Sequence, residues 1–395
     1  MSNSTFKVAA LFAGIGGIEL GMKRALGHDV ETTMFCEWWE PAQNVLRARF
    51  PGVEVHPDVR GLKQLPPEVN FVTAGFPCTD LSQAGRTVGI TGVNSGLVSH
   101  LFDALRAAQA SRHLPTLMIE NVPNMLALDR GKAMGYLVSE LESLGYRWAY
   151  RVVDSRFTGV PQRRRRVILI ASIDLDPRDV LFADDAGTRS PEDLSADAFG
   201  FYWTEGRSGL GWAQDAVPTI KGGSTIGIPS PPAVWVRSAS TGRKFVKPSI
   251  EDAEAMQGFD RGWTAVDGIS ERKNGPRWKL VGNAVTVGVA QWVAGRLGDP
   301  GSATDEYRQW EARTGAWPSA AWGRNGKVWA APNLSEFPLH RSYVHLADVI
   351  DWSAADVLSH RAANGFLSRL QRGNLGRHPG FRDDIKEHVQ AVRTS

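Results

Sequence analysis

The stretch from Gly75 to Gly85, GFPCTDLSQAG, holds the side chain with the most to offer chemically, the thiol of Cys78. The apolar run VNFVTAG reads as a buried strand, turns at Phe76-Pro77-Cys78 and opens into a polar loop bounded by glycines. A thiolate is a strong nucleophile, and the carboxyl ends of strands are where open α/β sheets bind ligands. The competing reading is a small buried apolar residue, a common fate of a free cysteine. Three carboxylates end apolar runs in the same way. Glu37 closes TTMFC and precedes Trp38, Asp58 closes VEVHP, and Glu120, followed by Asn121, closes TLMI. An acidic residue after the second strand of a nucleotide-binding α/β fold commonly meets ribose hydroxyls; the alternative is a solvated carboxylate. In GVPQRRRRVILI, Arg163 to Arg166 run into a buried strand. Alternate members must then point to opposite faces, so the sheet aims at least one pair.

These groups need a scaffold, and the pattern around them supplies one. FKVAALF, AGIGG and IELGMKRALG read as strand, glycine turn and helix, with Ile18, Met22 and Leu26 at helical spacing. Gly14, Gly16 and Gly17 permit a tight turn and close approach of a ligand to the helix N-terminus, although many such turns only pack helix on sheet. Strands and helices alternate over residues 6 to 172, which indicates an α/β fold with a doubly wound, mostly parallel sheet. The long loop from Thr79 to Ser95, followed by the helical LVSHLFDALRAAQ, has the length of a moving functional element. From about Ile173 the periodicity fades, and residues 184 to 242 read as an irregular module of strands and loops. PSIEDAEAMQGF then predicts a helix, and KLVGNAVTVGVAQWVAGRL one more. Trp310, Trp317, Trp322 and Trp329 surround an Asn325-Gly326 hairpin signal, and helices at about 353 to 371 and 381 to 392 finish the chain.

With 42% apolar and 22% charged residues in 395, the chain can bury a large core in two or three units. A net charge of +3 permits a polyanionic partner without requiring one. Two cysteines exclude a disulfide framework, and the lack of a CxxC pair argues against structural zinc. The N-terminal apolar run is broken by glycines and Glu19, so it reads as strand and turn rather than signal peptide. No stretch approaches the roughly 18 apolar residues that span a bilayer, and the chain reads as cytoplasmic.

Over residues 6 to 298 the motifs, in order, resemble those of the DNA (cytosine-5) methyltransferases: LFAGIGGIELG, Glu37 with Trp38, Asp58, GFPC, ENV at 120 to 122, QRRRRV at 162 to 167, RKF…PSIEDAEAMQGF, and VGNAV at 281 to 285. The resemblance implies a class I, Rossmann-like methyltransferase. Cys78 would add to C6 of a flipped cytosine, Glu120 would act as acid on the ring, and Arg164 and Arg166 would support the site, Arg164 being the expected contact to the cytosine O2 or to the carboxylate. Cys36 would only pack. It further implies S-adenosylmethionine as donor, leaving S-adenosylhomocysteine, with no metal. The donor would be held by Phe12, Gly14, Ile15, Gly17, Glu37 and Trp38 and by Asp58, Val59, Pro77, Leu97, Asn283 and Ala284. Glu37 would take the ribose hydroxyls, and Asp58 the adenine amino group.

Double-stranded DNA is the implied partner, met by Ser82, Arg86, Thr219, Arg237 and Arg243, with Lys244 and Lys247 as further phosphate contacts. The enzyme would be a monomer, and a separately encoded endonuclease is left open. The expected division is a catalytic domain at 1–183, a target-recognition domain at 184–275, a helix returning to the catalytic domain at 276–300, and a Trp-rich, helical extension at 301–395 that packs on the core rather than along DNA. Two departures from the family pattern are Thr79-Asp80, where Gln often follows the cysteine, and Asn94, where many members have arginine. Neither removes a catalytic group. The competing functions are an RNA cytosine-5 methyltransferase and a catalytically silent DNA-binding protein.

Overall fold

The apolar runs become strands in the expected order: β1 (Phe6–Leu11), β2 (Val30–Cys36), β3 (Glu54–His56), β4 (Phe71–Ala74), β5 (Thr116–Asn121), β6 (Arg147–Asp154), a two-residue β7 (Gln162–Arg163) and β8 (Arg165–Ser172). Between them lie helices α1 (Gly17–Leu26), α2 (Glu40–Arg49), α3 (Leu97–Gln109) and α4 (Lys132–Ser143), and β8 is followed by the short α5 (Pro177–Leu181). These elements come from a computed structural model that describes residues 5–77, 96–110, 113–207, 209–222, 231–270, 275–303, 306–311 and 315–393. Among the described residues no helix is long and apolar enough to cross a membrane.

The chain then forms the short strands β9 (Ala198–Phe201), β10 (Ala213–Gln214), β11 (Val217–Pro218), β12 (Ala233–Val236) and β13 (Phe245–Lys247), followed by α6 (Ile250–Met256), α7 (Arg277–Asn283) and α8 (Val287–Gly298). Last come β14 (Arg308–Trp310), β15 (Ala320–Arg324), β16 (Lys327–Ala330), α9 (Leu346–Val349), β17 (Asp356–Val357), α10 (His360–Arg372) and α11 (Phe381–Ala391).

Cα packing divides the chain into two compact units. The first is Met1–Phe157, Arg165–Thr188 and Val285–Leu339; the second is Thr158–Arg164, Arg189–Ala284 and His340–Ser395. This differs from the linear division expected from sequence, because each unit takes part of the last hundred residues. The helix expected over 279 to 297 is also two helices. The break at 284 to 286 falls at the boundary between the units, where the Gly282 and Ala284 carbonyls accept from the Arg164 guanidinium.

The first unit is built on a sheet of order β14-β16-β15-β6-β8-β5-β4-β1-β2-β3. Strands β1 to β5 are mutually parallel, and β8 runs antiparallel to both β5 and β6. Alternate residues face two cores. Val72, Leu117 and Leu169 join the α3 and α4 side, while Phe71, Met118, Ile168 and Ile170 join the α1, α5 and α8 side. Burial on both faces explains why these strands read as continuous apolar runs. The chain leaves β1 toward β2 on one side and β4 pairs on the other, so the strand order reverses at β1 and opens a crevice at the carboxyl ends of β1 and β4.

The Asn325-Gly326 hairpin forms with φ of 54° and 73°, the left-handed pair a two-residue turn needs, and β15 extends the sheet antiparallel to β6. In the second unit a five-stranded antiparallel sheet, β10-β9-β12-β13-β17, packs Phe201, Trp235 and Phe245 against Phe366 of α10 and Phe381 of α11. The last segment therefore packs on the sheets of both units.

Candidate active site

In the first unit the carboxyl ends of β1 and β2 are tied by one carboxylate. After β1 the backbone turns left-handed at Phe12, φ 56°, a conformation costly for a non-glycine residue and frequent at functional sites. Gly14 follows with φ 57°, and among the described residues a methyl group added there would meet no atom within 4 Å, so the loop borders space they leave open. Ile15 is buried beneath it, and Gly17 begins α1. Glu37 Oε2 accepts from the Gly14 amide and Oε1 from the Trp39 amide, both at 2.9 Å. Burial pushes the Glu37 carboxyl above its ordinary range, and these backbone donors pull it back. A carboxylate has about four lone-pair sites, so the backbone donors from Gly14, Trp38 and Trp39 leave it capacity for a hydroxyl donor.

Beside it Trp38 is 71% exposed, an unusual position for so large an apolar ring and a ready platform for a flat heterocycle. Val59 is buried and Leu97 half-buried. Asp58 is already engaged: its carboxylate accepts from the Arg60 amide at 2.9 Å and from Arg60 Nη2 at 2.6 Å, so Arg60 must yield before an adenine amino group can use it. Cys36 lies in the core, where burial and then the Glu37 charge push its thiol up to about 12; it packs and is inert.

At β4 and β5 the second half of the site assembles. The strands pair up to Ala74 and Ile119, which places Gly75-Phe76-Pro77 beside Glu120-Asn121. Asn121 Nδ2 donates to the Phe76 carbonyl at 3.0 Å and holds the corner. The Phe76 ring meets Phe12 edge-on, with centroids 6.0 Å apart. A methyl group added at Gly75 would lie 3.8 Å from Glu120 Oε2. Cys78, Ser82 and Arg86 lie outside the described residues.

Glu120 is buried, and Arg166 Nε stands 2.8 Å from its Oε1. Among the described residues that oxygen accepts no aligned hydrogen bond, so the contact is an ion pair. Strand register explains the pairing. Glu120 lies opposite Ile168, and Arg166, two residues away along β8, is its diagonal neighbour on the same face.

Arg164, the arginine expected on the cytosine or the carboxylate, is placed otherwise. It belongs to the second unit, is 1% exposed, and donates to the carbonyls of Ile220, Gly282 and Ala284 at 3.4, 3.1 and 2.6 Å. Alternation along a strand would keep residues 164 and 166 together, but the ladder is interrupted at Arg164 between β7 and β8. Arg165 pairs with Glu336, and Arg163 donates to the Gly211 carbonyl.

Asn283, exposed, and Ala284 also lie in the second unit, the Ala284 carbonyl being the one Arg164 holds. There too Thr219 Oγ1 donates to the Arg163 carbonyl at 2.9 Å, and its own carbonyl accepts from Tyr202. Each basic residue expected on phosphates has an internal partner: Arg237 the Ala196 carbonyl, Arg243 the Trp352 carbonyl, Lys244 Asp384 and Lys247 Asp356. The sequence carried no sign of this, because the partners are 41 to 140 residues away.

Residues 6–182 match the C-5 cytosine-specific DNA methylase family. The Type II methyltransferase M2.BsuMI of Bacillus subtilis (strain 168) is 45% identical over 93% of both chains. The chain belongs to this family. It is also similar to the Type II methyltransferase M.MspI of Moraxella sp, at 25% identity over 75% of this chain and 71% of that one. Among solved structures, the S. pombe Dnmt2 methyltransferase matches with a TM-score of 0.54 and 15% identity, covering 74% of this chain and 98% of that one, a likeness of fold. The similarity to M2.BsuMI runs well beyond residue 182, so the second unit and most of the last hundred residues are shared with it.

Proposed function

We propose that this methylase moves a methyl group from S-adenosylmethionine to C5 of a cytosine in a short DNA sequence, as the modification partner of a separately encoded endonuclease. The buried Glu120–Arg166 pair beside the Gly75-Phe76-Pro77 corner carries the reading. C5 of cytosine is a poor nucleophile. Addition of the Cys78 thiolate at C6 pushes an electron pair through the ring to C5, and a proton shared between the Glu120 carboxyl and N3 absorbs the charge. Arg166, its ion-pair partner, holds the carboxyl in place. After transfer, loss of the C5 proton and of the C6–S bond restores the aromatic ring and the free thiolate.

The loop at Gly14, the Glu37 carboxylate and the exposed Trp38 ring fit the donor. They offer open space at a helix start, acceptors for the ribose hydroxyls and a stacking face for adenine. S-adenosylmethionine bound there supplies the electrophilic methyl carbon. The target base must leave the duplex to reach the corner.

The test is to express the wild type and Cys78→Ser in a host without cytosine methylation and map 5-methylcytosine at base resolution. Methylation of one short motif, absent with Cys78→Ser, is expected. Unmethylated DNA from cells holding folded wild-type protein, or methylation of tRNA alone, would overturn the reading.

A further inference from the structure

The added hairpin builds a second site in the first unit, remote from the first. A cavity of about 360 Å³ lies over the sheet face that carries Trp322 and Trp329, walled by Arg147 and Arg178 and rimmed by Arg324 and Lys327. That volume falls within the range of small-ligand sites. Trp322 and Trp329 lie opposite each other in the β15–β16 register, and their rings stack with centroids 4.1 Å apart and planes at 11°. Arg178 sits 4.3 Å over Trp322, which is held between guanidinium and indole. Trp329 is half-buried, and among the described residues Trp322 is its one ring partner, so the stack presents a flat π surface to the cavity.

The charge around this platform is cationic. The one carboxylate on the wall, Asp176, is taken by Arg178 at 2.7 Å. Arg324 and Lys327 are exposed at the hairpin tip and have no acid partner among the described residues. Arg147 spends Nη2 on the Ile173 and Asp174 carbonyls, while its Nε is buried and has no acceptor among the described residues. A buried donor without an acceptor is costly unless something supplies one. A flat stacking face beside two unpaired cations and a guanidinium with a donor to spare is the combination that binds a base together with its phosphate.

From these observations we infer a second, non-catalytic site for a nucleotide unit, its base on the Trp329–Trp322 stack and its phosphate between Arg324, Lys327 and Arg147. The site is separate from the methyl-transfer centre. The chain direction of β15 and β6 puts Arg324 and Arg147 at the end of the sheet opposite Glu120, and β16 lies four strands from β5. At about 4.8 Å per strand and 3.3 Å per residue the separation exceeds about 20 Å. The inference therefore stands whether or not the methyl-transfer reading does.

The experiment is calorimetric titration of the full chain, saturated with S-adenosylhomocysteine to block the donor pocket, against adenosine 5′-monophosphate, a ten-nucleotide single-stranded DNA and inorganic phosphate. Trp329→Ala should weaken nucleotide binding by about tenfold, the usual effect of removing a stacking partner. The exposed double variant Arg324→Ala/Lys327→Ala should weaken it with a smaller salt dependence. Binding of the mononucleotide identifies a free nucleotide as occupant, and binding of the oligonucleotide alone identifies a nucleic-acid strand. If neither probe binds, if both variants bind as the wild type does, or if phosphate binds as tightly as the nucleotide, the inference is overturned.

Discussion

Two arginines two residues apart should fail in different ways when removed. Arg166→Ala leaves Glu120, only 10% exposed at its side chain, without its ion-pair partner. Breaking a buried pair from one side costs about 3–5 kcal/mol. If that cost falls on the transition state, kcat/KM drops by roughly two to four orders of magnitude. The melting temperature should change little, because both side chains of the pair keep some access to water at the crevice.

Arg164→Ala instead strips donors from three carbonyls of the second unit. Bonds from a charged donor are worth about 1.5–3 kcal/mol each and do not add fully, so a loss of about 4 kcal/mol is expected. That is roughly a 10 °C fall in the transition of that unit. Tritiated-methyl incorporation and calorimetric melting of both variants separate the two effects. A stable, inactive Arg164→Ala beside an active Arg166→Ala would refute the assignment and restore the expectation drawn from sequence.

Other outcomes follow from the same geometry. Burial, opposed by the Thr73 hydroxyl, raises the Glu19 carboxyl from 4.5 to about 7. Between those values the folded chain holds a proton that the unfolded chain releases, so stability falls as pH rises, by about 3 kcal/mol in total. Glu19→Gln should remove that slope, matching the wild type in denaturant midpoint near pH 5 and exceeding it at pH 8; parallel curves would contradict the burial argument. Trp38→Ala, which removes an exposed ring, should weaken S-adenosylmethionine binding with little change in melting temperature, as read by calorimetry. The hydrogen bond to Asp215 raises the His345 pKa, so this contact stabilises most below the unfolded value and is lost as pH rises through the folded one. Hydrogen exchange near residues 345–358 should speed up with pH in the wild type and less in His345→Gln. Deleting 340–395 uncovers Phe201, Trp235 and Phe245 and should leave the second unit aggregation-prone, which light scattering would show.

The sequence by itself determined the doubly wound sheet, since strand-length apolar runs alternating with helical spacing admit few other arrangements. It also located the groups at the strand ends, Gly14, Glu37, Trp38, Gly75 and Glu120, because they stand at fixed short offsets from those runs. The Asn325-Gly326 hairpin was equally local, as the turn needs two left-handed residues. Tertiary structure decided which arginine meets the carboxylate. Strand alternation makes residues 164 and 166 equivalent, and only the break between β7 and β8, with the carbonyls of Ile220, Gly282 and Ala284 waiting up to 120 residues away, separates them. It also split the last hundred residues between two units. Whether β15 joins β6, or β17 joins β13, depends on edges that become available only once each sheet has formed. The stacked tryptophans and the cations around them come together for the same reason, since β6 and α5 share one wall with β15–β16, which lie far along the chain from both.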